Sequence, residues 1–141
     1  MQKQTDPFVH YSLPNFLPPP ALQKLAGVYQ HLQFLEKESD LFHFFQTNEL
    51  AQEPSLGFFR KELSKQFEKL APLKETWYSI FASYYFKGNH LLCHDDVVED
   101  RRFAFSYYLE DFGSGELVLY NRTADAPAKK IKVRKNLLVI F

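Results

Sequence analysis

The chain has 141 residues, 45% of them apolar and 24% charged, with Lys plus Arg equal to Asp plus Glu; this fits one globular domain and excludes a disordered chain. A net charge of zero excludes broad electrostatic capture of nucleic acid, and no specific DNA binding is expected. One cysteine, Cys93, excludes a disulfide within the chain, and with no signal-like opening and no apolar run near the ~20 residues of a membrane span, a cytoplasmic or nuclear location is expected.

Residues 7–16 (PFVHYSLPNF) alternate and predict a short strand ended by Pro14. Pro18, Pro19 and Pro20 then restrict the backbone, and Pro20 suits the first turn of a helix over about 21–34. Leu22, Leu25, Val28, Tyr29 and Leu32 form its apolar stripe. Residues 35–54 are less regular, and the aromatic run LFHFFQTNEL reads as strand or helix. Ser55 can cap a second helix whose core face is Leu56, Phe59, Leu63, Phe67 and Leu70, ended by Pro72. From Trp77 the period becomes alternating. Strands are expected over 78–86, 91–94, 102–109 and 116–120, with a turn at Gly113-Ser114-Gly115. A last strand, or strand pair, is expected over 131–133 and 137–141.

The order predicts an α+β fold. A helical part of about 18–76 precedes and packs on a sheet part of about 77–141, in one domain over 1–141 with four or five strands.

The segment LLCHDDVVEDRR holds the candidate chemistry. If it is extended, His94 and Asp96 point the same way and can reach one metal ion, while Asp95 points away. They supply two of the three donors of a two-His, one-carboxylate iron site. The other histidines are poor substitutes: His90 would lie roughly 13 Å from His94 in an extended chain, and His10, His31 and His43 sit on other segments. Arg101 and Arg102 read as solvated, or paired with Glu99 or Asp100. On the next strand Phe103, Phe105, Tyr107 and Leu109 share a face suited to packing under the helices. Ala104, Ser106 and Tyr108 share the other, where small side chains leave room and a phenol can bind an anion.

Near the end, Lys129, Lys130, Lys132, Arg134 and Lys135 form a basic run. It reads either as a docking patch or as a lysine-protected strand edge. The chain then finishes on Leu137, Leu138, Val139, Ile140 and Phe141, an apolar strand that needs cover. Leu138 and Ile140, with the basic run, are therefore expected to bind a partner, through docking on a ribonucleoprotein or self-association of this strand.

Taken together, DPFVHYSLPNF, LQFLEKESDLFHFFQTNEL and LLCHDDVVEDRRFAFSYYL resemble the iron(II)- and 2-oxoglutarate-dependent prolyl hydroxylases that modify a ribosomal protein. The resemblance implies a double-stranded β-helix of the jelly-roll type, of which this chain would be the part before the distal strands. It implies His94 and Asp96 as iron ligands, Tyr108 beside 2-oxoglutarate, ascorbate as reductant, and a ribosomal protein as partner. The second iron-binding His and the Arg that pairs with 2-oxoglutarate in that family would lie beyond Phe141. Two functions follow as expectations. One is a shortened, inactive relative that binds no cofactor and acts as a ribosome-associated, dormancy-type factor. The other is an active prolyl hydroxylase whose second half lies outside this chain.

Overall fold

The computed structural model describes residues 1–72, 77–96, 100–111, 113, 115–123 and 126–141. Two helices and ten strands occur among them, more strands than the sequence led us to expect, and all paired strands are antiparallel. The chain divides into two compact units, Met1–Pro18 with Cys93–Phe141, and Pro19–Leu92. No helix among the described residues is long and apolar enough to cross a membrane.

The first unit is built on a four-stranded sheet. β1 (Gln2–Gln4) pairs with β2 (His10–Pro14), β2 with β10 (Leu137–Ile140), and β10 with β7 (Phe105–Tyr108). β10 is thus a central strand, and its four residues are buried. The terminal apolar strand finds its cover inside the chain: β2 takes one edge and β7 the other. Leu138 is 0% and Ile140 1% exposed, so the expectation that they bind a partner is corrected. A run of five apolar residues is what a strand buried on both faces requires. The unit also holds a hairpin, β8 (Leu117–Tyr120) with β9 (Pro127–Ile131), which carries an irregularity at Leu119/Tyr120. The turn expected at Gly113-Ser114-Gly115 includes Ser114, which lies outside the described residues.

The second unit holds both helices. α1 (Pro19–Gln30) starts on its prolines, which lose no hydrogen bond in a first turn. It ends four residues before the expected Phe34, because Leu35 already belongs to a strand. A 3-10 turn (Pro54–Leu56) leads into α2 (Gly57–Phe67), which buries Phe59, Leu63 and Phe67. Ser55 does not cap α2, whose cap position is Leu56 with no side-chain hydrogen bond; Glu53 caps the 3-10 turn, its carboxylate accepting from Ser55 N at 3.2 Å and Ser55 Oγ at 2.8 Å. The aromatic run that left helix and strand open is β4 (Phe42–Gln46), flanked by β3 (Leu35–Glu38) on one side. On the other side lie β5 (Ser83–Tyr84) and β6 (His90–Leu91). The strand expected over 78–86 shrinks to β5, because side chains replace part of the ladder. Glu49 Oε1 accepts from Ile80 N at 2.7 Å, and Thr47 Oγ1 from Ala82 N at 3.1 Å.

Candidate functional site

The segment carrying His94, Asp95 and Asp96 leaves β6 at Leu91 and runs through 92–96 outside any strand. β6 is only two residues long, paired through Phe42–Leu91 and His43–His90. The strand expected over 91–94 therefore does not form, and no ladder enforces the alternation that would set His94 and Asp96 on one face. His94 and Asp95 are exposed and Asp96 is half-buried.

Asp96 is held by Arg101. Arg101 Nη1 donates to Asp96 Oδ1 and to the Asp96 carbonyl, each at 3.0 Å. The partners expected for Arg101 were Glu99, which lies outside the described residues, or Asp100. Asp100 instead adopts φ 65°, a left-handed turn that Asp tolerates better than most residues, just before Arg101.

β7 carries the remaining candidate, Tyr108. Its pairing with β10 sets Tyr108 opposite Leu137 and Ser106 opposite Val139, and Val139 is also opposite Ser12 of β2. Ala104 exchanges hydrogen bonds with Phe141, N to O at 2.7 Å and O from N at 3.0 Å. Residues opposite one another in a ladder share a face, so Ala104, Ser106 and Tyr108 lie on one side with Val139 and Ser12. This alternation is as the sequence implied. Phe105 and Tyr107 lie on the other side, where Tyr107 meets Phe16 edge-on at 5.6 Å. Burial pushes the Tyr107 phenol far above its ordinary value, and its hydroxyl donates to Asn136 Oδ1 at 3.0 Å.

The donor types at 94 and 96 fit a divalent first-row ion, since imidazole and carboxylate are two of the three donors of a facial iron site. Among the described residues no group of three His, Cys, Asp or Glu side chains is arranged to hold a metal. Of the other histidines, His43 has its Nε2 2.8 Å from Glu36 Oε1. His10 is fully buried, with Nδ1 2.9 Å from Phe8 O and no hydrogen bond at Nε2. That burial of a histidine on β2 carried no signal in the strand pattern.

The basic run is divided by the hairpin. Lys129 and Lys130 lie on β9, whereas Lys132, Arg134 and Lys135 follow it. Lys130 pairs with Glu116 at 3.1 Å and Lys135 with Glu110 at 3.4 Å. Lys132 and Arg134 are exposed and, with Asp111, Gly113 and Val133, line an open cavity of about 440 Å³.

Asn136 is the residue that sequence reasoning missed. It is buried at φ 62°, and its amide accepts from Leu17 N and donates to Leu17 O, both at 2.8 Å. Its one sequence signal is that Asn adopts the left-handed conformation more readily than other non-glycine residues.

Comparison with known proteins adds two findings. Residues 80–141 match the 2OG-Fe(II) oxygenase superfamily. The chain is 35% identical over 120 residues to prolyl 3-hydroxylase sudestada1 of Drosophila melanogaster, covering 79% of this chain and 22% of the relative. It is 34% identical over 142 residues to prolyl 3-hydroxylase OGFOD1 of Mus musculus, covering 89% of this chain and 25% of the relative. With the Xenopus laevis OGFOD1 it shares 32% over 151 residues, 96% of this chain and 28% of the relative. The chain thus spans about a quarter of the length of these relatives.

Proposed function

The chain belongs to the prolyl hydroxylases of the 2OG-Fe(II) oxygenase superfamily, and on that premise we propose that it carries part of an iron(II) and 2-oxoglutarate site for hydroxylating a proline of a ribosomal protein. The observation that carries the reading is that the oxygenase match over 80–141 contains His94, Asp96 and Tyr108. His94 would hold iron through a neutral imidazole nitrogen and Asp96 through a carboxylate oxygen. Tyr108 would donate a hydrogen bond from its phenol to the 2-oxoglutarate carboxylate. Ala104 and Ser106, on the same side of β7, leave that wall uncrowded. When bound, iron and 2-oxoglutarate supply the oxidising equivalent drawn from dioxygen. The strands of the first unit would then form part of a double-stranded β-helix, in a single oxygenase domain over 1–141.

Two protein donors fix iron less firmly than three, so the chain alone is proposed to bind metal weakly and not to turn over. A second reading is favoured by the exposed Lys132 and Arg134. In it the chain acts by binding, as a ribosome-associated, dormancy-type factor in the cytoplasm or nucleus.

The test is uptake of Mn(II), an oxygen-stable stand-in for iron(II), followed by calorimetry. His94→Ala and Asp96→Ala should each abolish uptake, and Asp95→Ala should leave it. Equal loss on changing Asp95 overturns the ligand assignment. Succinate release above background, with iron, ascorbate and a proline peptide, overturns the proposed inactivity of the chain alone.

A further inference from the structure

Arg101 holds Asp96 at two points with one nitrogen. Nη1 donates to the carboxylate Oδ1 and to the main-chain carbonyl of the same residue, both at 3.0 Å. The guanidinium is therefore anchored to the backbone independently of the carboxylate, and it leaves Oδ2 unused by this contact. The left-handed turn at Asp100 comes immediately before Arg101. Both side chains are about two-fifths exposed or less, at 40% for Asp96 and 36% for Arg101. An ion pair so exposed adds little to stability, which directs attention to what the contact orients.

We infer that Arg101 is a positioning residue for the metal-binding carboxylate of Asp96: by occupying Oδ1 it sets the carboxylate plane and presents Oδ2 to the ion. The inference rests on the iron-site reading above. Carboxylates that ligate metals are themselves hydrogen-bonded, and removal of such a partner typically weakens metal binding by about 10–100-fold. The opposite sign is also physically defined. A guanidinium that had to leave before the ion could enter would compete with it, and its removal would tighten binding. The backbone anchor argues for positioning, because a competitor would gain nothing by holding the Asp96 carbonyl.

The experiment uses the whole chain with Mn(II) for affinity and Co(II) for the d–d spectrum of the bound ion. Arg101→Gln should weaken Mn(II) binding about tenfold or more and alter the Co(II) spectrum. Arg101→Lys, which keeps the charge without the planar fork, should restore part of the affinity. Arg102→Gln should change nothing. Unchanged or tighter binding by Arg101→Gln, with His94→Ala and Asp96→Ala still losing the ion, overturns the role of Arg101 and leaves the metal reading intact. No uptake by the parent chain, or uptake indifferent to His94→Ala and Asp96→Ala, overturns both. An unchanged melting midpoint in Arg101→Gln keeps folding out of the comparison.

Discussion

Asn136 ties three segments of the first unit together. Its amide serves both the N–H and the C=O of Leu17, its Oδ1 also receives the Tyr107 hydroxyl, and its own N–H donates to Tyr108 O at 2.7 Å. Asn136→Ala strands the buried N–H and C=O of Leu17, at about 1–3 kcal/mol each, and puts a residue without a hydrogen-bonding side chain in the left-handed region. The expected loss is roughly 3 kcal/mol or more, measured as a shift in the urea midpoint. Asn136→Gly should lose about 1 kcal/mol less, since only the backbone strain is relieved. Glu49 makes a second residue-scale prediction. Desolvation acts upward on its carboxyl, but hydrogen bonds from Ser79, Ile80, Ala51 and Leu50 outweigh it and hold it below the ordinary 4.5. A depressed folded-state value stabilises above the unfolded value and loses that contribution as pH falls through the folded one. Stability from Glu49 should therefore be complete above about pH 4.5 and decline below it. The side chain is exposed, so the effect is screened to about 1 kcal/mol or less. Melting midpoints of Glu49→Gln should converge on those of the parent chain at low pH and fall below them near neutrality.

At the scale of elements, β10 is the keystone of its sheet. It pairs with β2 through Leu137–Pro14 to Ile140–Tyr11 and with β7 through Leu137–Tyr108 to Ile140–Phe105. Leu138→Ala should cost about 2–5 kcal/mol by transfer and cavity terms. Leu138→Asp should unfold the first unit, since an unpaired charge at a fully buried position has nowhere to go. Far-UV circular dichroism during urea titration reads both. A stable, monomeric Leu138→Asp chain would show that β10 is not the core strand of this sheet. Lys132→Glu, exposed beyond β9, should change stability by about 0.5 kcal/mol or less.

At the scale of the whole molecule, charge is segregated although the total is zero. Residues 126–141 hold Lys129, Lys130, Lys132, Arg134 and Lys135 and no acidic residue, so the remainder is net acidic. Ion pairs with Glu116 and Glu110 engage Lys130 and Lys135, while Lys132 and Arg134 stand beside the open cavity. If this face docks on ribosomes, co-sedimentation should weaken as salt rises, because exposed charges are screened over about 10 Å at 0.1 M. The double change Lys132→Glu and Arg134→Glu should abolish it, and Lys130→Glu should reduce it less. Sedimentation indifferent to salt and to the double change would remove this run from the interface.

Much of this architecture is legible in residue order because its signals are local. Pro19 and Pro20 start α1, the spacing of Phe59, Leu63 and Phe67 makes one buried face of α2, and the alternation of Ala104, Ser106 and Tyr108 defines a side of β7. The sequence by itself also determined the His-x-Asp pair and the family resemblance that the comparisons support, since both depend on residue identity and spacing. Tertiary structure decided what depends on partners far along the chain. The terminal strand reads as an exposed edge until β2 pairs with it, and Asn136 reads as a turn residue until Leu17, 119 positions away, accepts and donates to its amide. The run LFHFFQTNEL became a strand because β3, β5 and β6 lie beside it, and Asp96 met Arg101 because the backbone turns at Asp100. Periodicity records which side of an element is apolar; it does not record which distant backbone will satisfy its hydrogen bonds, and that pairing placed β10 in the core.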